Sequence, residues 1–167
     1  MTLRFILISL LLLAVNKSVL SAEYNASITT HLGNNKTFHA GDKFSLLISL
    51  SETSSALIIY ETAENDLIQI FPNYNLSETL LPSGEYYPLT WNKDVMWFTV
   101  SAPFGTERIW LFTATKPFPN LNDFSQKVGV YYRLKLSLEQ LKQKLNRHFI
   151  GAEINLHVVH AQINTAP

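Results

Sequence analysis

Apolar and polar residues alternate along much of the chain, and this alternation predicts β-strands. The clearest case is the segment 43–50, in which one side is apolar and the other is mainly polar. The apolar side consists of Phe44, Leu46, Ile48 and Leu50. A period of two residues with one apolar side is typical of a half-buried antiparallel strand. We therefore predict such a strand over residues 43–50, launched by the turn at 40–42.

Two apolar runs flank a short polar turn just downstream and predict a β-hairpin. The runs cover residues 56–61 and 66–71, and the turn contains Glu64 and Asn65. Apolar runs separated by a few polar residues are a hairpin signal. Because both runs are apolar on both faces, we place them at the centre of a sheet. Pro72 lacks a backbone N–H and is expected to end the second strand.

Further strands are predicted at 23–32, 94–100, 106–114, 128–136 and 153–163. We expect the 94–100 strand to pair with the 106–114 strand across the turn at 102–105. The pattern changes at Ser137, where leucines follow at helical spacing. Ser137 and Gln140 form a capping-box pattern, and Gly151 is a good stop signal, so a helix is predicted over 137–150.

Runs of strands followed by one late helix indicate a mainly β protein. We predict a single-domain antiparallel β-sandwich, immunoglobulin-like in general architecture, with one C-terminal helix over 137–150 and a last strand over 153–163. The length of 167 residues fits one domain.

The first 22 residues have the layout of a secretory signal peptide. Arg4 precedes an apolar run at 5–15, and a more polar exit ends in the small residues Ser21 and Ala22. The apolar run would rise only about 16 Å as a helix, against a hydrocarbon layer of about 30 Å. We predict cleavage after Ala22, a mature domain over 23–167 without a transmembrane span, and a periplasmic or secreted location. An uncleaved anchor is the alternative.

Composition limits the chemistry that the chain can perform. It contains no cysteine, which excludes a disulfide scaffold, a thiolate metal site and a cysteine nucleophile. It has 13 basic and 13 acidic residues. Removing Arg4 and Lys17 with the leader would leave a net charge of about −2, so general nucleic-acid binding is not expected.

Several local sequences resemble the bacterial domain of unknown function DUF4384. These are Gly41-Asp42 before the alternating strand, the Phe71-Pro72-Asn73 end of the hairpin, and the Ala102-Pro103-Phe104-Gly105 turn. The resemblance covers about residues 24–118. The resemblance implies a secreted, periplasmic or envelope-associated bacterial protein. Because the family's biochemical role is not established, the resemblance identifies no catalytic residue in this chain.

No group of acidic residues or histidines in the sequence indicates a catalytic or metal site, and we predict no catalytic residue, metal or cofactor. Glu61, Glu64 and Asp66 fall at the hairpin tip, where acidic residues usually serve the turn. His157 and His160 fall on opposite faces of a predicted strand and cannot bind one ion together. If that segment were helical, they could.

Aromatic residues on loops are the best binding candidates, because such rings stack on ligands or line grooves. The predicted binding residues are Asn73, Tyr86, Tyr87, Trp91 and Phe104. Trp97 and Trp110 are instead expected to be neighbours in the core, across paired strands.

Together these patterns favour a non-catalytic extracytoplasmic module that binds or scaffolds an envelope protein partner. The expected contact surface is formed by the loops at 73–91 and 102–106. The alternatives are an envelope hydrolase with dispersed acidic or histidine residues, and a structural component tethered to the membrane by residues 5–15. The helix is expected to pack on the sheet through its leucines, and docking through its basic face is the alternative.

Overall fold

The computed structural model describes residues 24–74, 78–150 and 156–167, and these residues form β-sheets and one α-helix. The predicted leader at 1–22, the stop at Gly151 and the first part of the predicted last strand lie outside the described residues. No helix among the described residues has the length and apolarity needed to cross a membrane.

The strands, in chain order, are β1 (Ala26–Thr30), β2 (Thr37–His39), β3 (Lys43–Leu50), β4 (Ser54–Glu61), β5 (Leu67–Phe71), β6 (Leu80–Leu81), β7 (Gly84–Pro88), β8 (Thr90–Trp91), β9 (Asp94–Val95), β10 (Trp97–Thr99), β11 (Thr106–Ala114), β12 (Ser125–Val128), β13 (Tyr131–Leu134) and β14 (His157–Ala166). The helix α1 is Leu138–Phe149, and a 3₁₀ turn spans Asn122–Phe124.

The structure confirms the two most regular strand predictions. β3 has the predicted bounds, and its alternate residues from Phe44 to Leu50 are buried. β4 and β5 form the predicted antiparallel hairpin. Both are central, because β4 lies between β5 and β11 and β5 lies between β4 and β13.

The strands form two main sheets. The small sheet has the order β1-β3-β10, with β7 also paired to β3, and the large sheet has the order β12-β13-β5-β4-β11-β14-β2. The pairings between neighbours are antiparallel except for the parallel pair β14 and β2. The core between the sheets contains Leu46 and Ile48 of the small sheet and Ile58, Ile109 and Leu111 of the large sheet. The predicted mainly β fold with two packed sheets is therefore confirmed, while the immunoglobulin-like resemblance stays a prediction.

The helix forms a third layer on the outer face of the large sheet. Leu141 and Leu145 are fully buried there against Leu57, Ile59 and Phe112. Ser137 caps the helix, since its hydroxyl accepts from the Gln140 N–H and the Gln140 side chain accepts from the Ser137 N–H. The predicted helix, its capping box and its packing through leucines are thus confirmed.

The predicted pairing of the 94–100 and 106–114 strands is wrong. The first segment breaks at Met96, whose side chain is buried and whose N–H donates to the Leu89 carbonyl. β10 then pairs with β3 in the small sheet, while β11 lies between β4 and β14 in the large sheet. Residues 101–105 therefore carry the chain from one sheet to the other and do not close a hairpin.

The predicted strand at 128–136 is also only partly correct. Residues 125–134 form a hairpin of β12 and β13, whose turn is Gly129-Val130 with Gly129 at φ 61°. β12 is polar except for Val128, so its sequence has no apolar side that would indicate a strand. The last strand is shifted as well, since β14 begins at His157 and continues to Ala166.

The two tryptophans predicted to be core neighbours lie in different sheets. Trp97 pairs with Ser45 in the small sheet and is 53% exposed. Trp110 is on the outer face of the large sheet, opposite Ile59 and His160. The prediction fails because it depended on the hairpin that does not form.

Candidate functional site

The predicted binding residues lie in separate parts of the molecule. Tyr87 pairs with Ile48 near the end of β3. Phe104 follows Val100, whose N–H donates to the Asp42 carbonyl before the start of β3. Tyr87 and the segment that leads to Phe104 are therefore at opposite ends of the same strand. A shared contact surface of the two loops stays a prediction.

The other predicted residues differ widely in exposure. Asn73 is only 5% exposed, and its side-chain amide donates to the Ile70 carbonyl at 3.2 Å. Tyr86 is exposed and has φ 46°. Trp91 is exposed in the small hairpin of β8 and β9. Phe104 is half-buried against the core between the sheets.

Part of the predicted surface does form a groove of about 500 Å³, which Leu81, Tyr87 and Lys93 help to line. The Tyr87 hydroxyl donates to the Pro82 carbonyl at 2.7 Å, which fixes the ring against its own loop. Burial, followed by the nearby Tyr24, raises the pKa of Tyr87 to about 12. The phenol is therefore neutral near pH 7, and its hydroxyl stabilises the loop through the hydrogen bond to Pro82.

A second cavity, of about 350 Å³, opens between the two sheets, and we call it the inter-sheet cleft. Its lining is mostly apolar and aromatic, with two small polar side chains. The lining residues are Phe44, Leu46, Tyr60, Ile68, Ile70, Trp97, Phe98, Thr99, Ser101, Ile109 and Tyr131. A cavity of a few hundred cubic ångströms with such a lining is typical of sites for small apolar groups.

The cleft exists because the two sheets have different widths. β1, at one edge of the small sheet, contacts β11 and β14 of the large sheet. The small sheet ends at β10, whereas the large sheet continues past β4 through β5, β13 and β12. Ile68 of β5 and Tyr131 of β13 therefore form a floor beside the open edge of β10.

A buried carboxyl group lies next to the cleft. Glu107 is 2% exposed and accepts a hydrogen bond from the hydroxyl of Tyr60, whose side chain lines the cleft. Burial raises the pKa of Glu107, and hydrogen bonds from Tyr60 and Thr165 partly oppose that increase. Burial and the Glu107 carboxyl raise the pKa of Tyr60. Tyr60 is therefore a neutral phenol whose single hydrogen is used inside the protein.

Two acidic residues of the hairpin tip, Glu61 and Asp66, have structural partners. Glu61 is buried at the end of β4, where it accepts from the Trp110 indole N–H at 2.8 Å and lies 3.5 Å from Arg108. Asp66 lies 3.8 Å from the Arg133 guanidinium. These contacts connect neighbouring strands and leave the two carboxylates outside the cleft.

The histidines do not converge. His157 and His160 lie on opposite faces of β14, where the His157 ring packs at a tilt against Tyr24 and the His160 ring packs at a tilt against Trp110. Within residues 24–74, 78–150 and 156–167, no group of three or more histidine, aspartate or glutamate residues could hold a metal ion.

The basic side of the helix is only partly available for docking. Lys142 lies over the Trp110 ring and 3.4 Å from the Glu139 carboxylate. Lys144 lies over the Phe124 ring at 3.9 Å. Both side chains are thus packed on aromatic rings, which is an ordinary structural use of lysine. Docking through this face stays a prediction.

Sequence reasoning missed the residues that define the cleft. Ile68, Phe98 and Tyr131 come from three strands far apart in the chain, and their meeting depends on which strand joins which sheet. Glu107 did carry a signal. It shares a face of β11 with Ile109 and Leu111, so a charged residue in that alternation indicates a buried carboxyl group.

Comparisons with known proteins identify one part of the chain. Residues 37–117 match the family model described as Domain of unknown function (DUF4384). The matched segment runs from β2 to just beyond β11 and contains ten of the eleven cleft-lining residues, the exception being Tyr131. No curated protein and no solved structure shows significant similarity to the chain. The resemblance to the DUF4384 family is therefore shown for residues 37–117.

Proposed function

We propose that this chain is a non-catalytic binding module of the bacterial cell envelope and that the inter-sheet cleft is its ligand site. The observation that carries the proposal is the apolar cavity of about 350 Å³ beside an open sheet edge. Apolar surface left accessible in a groove is a common mark of an interaction site. The envelope location is supported by the leader-like pattern at 1–22 and by the family resemblance.

The size and chemistry of the cleft limit what it can accept. Its volume is near the low end of ligand sites, so it suits one aromatic or branched aliphatic group better than a large cofactor. Thr99 and Ser101 add small polar groups to an otherwise apolar lining. The expected ligand is therefore an apolar side chain, or a small molecule of similar size, carried by an envelope partner.

This proposal moves the contact surface from the loops at 73–91 and 102–106 to the cleft. The cleft brings together side chains from both sheets, whereas the predicted loop residues lie apart. An envelope hydrolase is less well supported. The Glu107 carboxyl is bonded to Tyr60 and does not line the cleft, so a substrate there would not reach it directly.

Methyl NMR with indole as the probe tests the proposal. Three isoleucines, Ile68, Ile70 and Ile109, line the cleft, while Ile59 is buried on the opposite face of the large sheet. Saturable shifts confined to the methyl groups of the first three are expected on titration, with Ile59 as the internal control. The variant Ile68→Trp should fill the cleft and abolish the shifts.

Two outcomes would contradict the proposal. One is the absence of saturable shifts at Ile68, Ile70 and Ile109 at millimolar indole. The other is a set of shifts of equal size at Ile59, which would indicate general association with apolar surface. Thermal unfolding of Ile68→Trp shows whether the filled variant keeps its fold.

A further inference from the structure

We propose that the occupant of the cleft is an extended peptide segment that adds to β10 as a new edge strand and inserts one apolar side chain between the sheets. This inference rests on the proposed function, because it identifies the class of partner that the same site accepts. Three features of the described residues carry it: the edge of β10, which pairs with no further strand there, the floor beside that edge, and the cleft between them.

The backbone of β10 offers hydrogen-bonding groups on its outer side. The Val100 N–H donates to the Asp42 carbonyl, and the Val100 carbonyl accepts from the Gly41 N–H, so the backbone groups of Val100 point toward β3. Successive residues of a strand point these groups in opposite directions. Those of Trp97 and Thr99 therefore point away from β3, where the described chain places no further strand.

Residues of the large sheet lie beneath the position that a strand added beside β10 would take. The next strand of the small sheet would lie about 4.8 Å from β10 and about 10 Å above the large sheet. That position is above β5 and β13, whose residues Ile68 and Tyr131 line the cleft. A strand added there would continue the packing of one sheet on the other, with every second side chain directed at this floor.

The edge of β10 is short, but it lacks the charges and prolines that protect many sheet edges. Natural edge strands carry charges, prolines or bulges that discourage pairing. β12, at one edge of the large sheet, carries Lys127 and is polar except for Val128. β10 reads Trp97-Phe98-Thr99, with two aromatic residues and no charge, and Trp97 is 53% exposed. This edge is therefore suited to pairing with a partner strand.

The combination of backbone pairing with one side-chain pocket is the known logic of strand addition. Main-chain hydrogen bonds supply affinity, and a pocket for alternate side chains supplies specificity. Because β10 contains only three residues, few backbone bonds are available, and the buried side chain must contribute much of the affinity. The expected peptides thus alternate apolar and polar residues around one aromatic or branched residue.

A phage-displayed library of random linear decapeptides, selected on the folded wild-type protein, supplies the probe. Synthetic copies of the enriched peptides should shift the Ile68 methyl signal and protect the Trp97 and Thr99 amides from hydrogen exchange. The variant Thr99→Pro removes one outward N–H and should weaken the peptides about tenfold or more, equivalent to about 1.4 kcal/mol. The matched control Thr99→Ser keeps that N–H and should bind within about twofold.

The amide-exchange measurement uses only wild-type protein, so it decides the question even if Thr99→Pro fails to fold. The inference is overturned if no enriched peptide shifts Ile68, if the Trp97 and Thr99 amides stay unprotected, or if folded Thr99→Pro binds as tightly as wild type. Indole shifts that persist in such cases would retain the proposed function while rejecting strand addition. Loss of the indole shifts as well would reject both.

Discussion

Replacing Tyr60 with phenylalanine should destabilise the protein through Glu107 while leaving the shape of the cleft nearly intact. The substitution removes only the hydroxyl group that donates to the buried Glu107 carboxylate. The ring keeps its place between the sheets, where it packs against the core. The change therefore isolates a single buried hydrogen bond.

The expected magnitude follows from the burial of Glu107. A hydrogen bond to a charged group contributes a net ~1.5–3 kcal/mol, compared with ~0.5–1.5 kcal/mol for a neutral pair. Because Glu107 is 2% exposed, water does not readily replace the lost donor. We expect a loss of about 1.5–3 kcal/mol at a pH above the raised folded-state pKa of Glu107, where the carboxyl is ionised, and about 0.5–1.5 kcal/mol at pH 4, where it is protonated.

Urea unfolding of Tyr60→Phe, Glu107→Gln and the double variant at both pH values measures this coupling. The matched control is Tyr131→Phe, since Tyr131 also lines the cleft but takes no part in the hydrogen bonds to Glu107. That control should change stability by less than about 0.5 kcal/mol. At the higher pH, equal losses for the two tyrosine variants, or a Tyr60→Phe loss that is unchanged in the Glu107→Gln background, would refute the reasoning.

Three further predictions concern the helix layer, the buried acid and the crossing between sheets. Leu145→Ala should lose about 3–4 kcal/mol in chemical unfolding because it leaves a cavity under the helix, whereas Lys144→Ala should lose less than about 1 kcal/mol. Since the folded-state pKa of Glu107 is raised above its ordinary 4.5, the folded state binds the extra proton, and stability falls as pH rises from about 4.5 through the folded-state pKa. Glu107→Gln should flatten that decline in stability curves, and an unchanged pH profile would contradict the assignment. Gly105→Ala should lower the melting temperature, because its φ is 153° and a new Cβ would lie 2.9 Å from the Ala63 Cβ, so a wild-type melting temperature would contradict this description of the crossing.

The elements that were predicted correctly from the sequence are those whose signal lies in neighbouring residues. The alternation in β3 and the double-sided apolar runs of β4 and β5 were sufficient, because each depends on neighbouring residues only. The capping box at Ser137 and Gln140 likewise located the start of α1 correctly. In each case the residues that carry the signal are within a few positions of the structure that they determine.

The sequence does not indicate in the same way which strands pair or which sheet a strand joins. The turn at 102–105 looks like a hairpin turn, yet the chain there passes to the other sheet, and neither strand pattern records that difference. The cleft depends on the same choice. Ile68 and Tyr131 are exposed to it only because the small sheet ends at β10 while the large sheet continues. For this reason the sequence favours loop aromatics such as Tyr86 and Trp91 as binding candidates, although the cavity is formed by strand residues.

The central claim is that a partner in the cell envelope occupies the cleft, and photo-crosslinking from two adjacent positions tests it most directly. Tyr131 lines the cleft, whereas Tyr132 faces a cavity on the opposite side of the large sheet. A benzophenone amino acid placed at Tyr131 should form an adduct with a specific envelope component, and the adduct should disappear when Ile68→Trp fills the cleft. Equal adducts from both positions, or an adduct at Tyr131 that survives Ile68→Trp, would contradict the account.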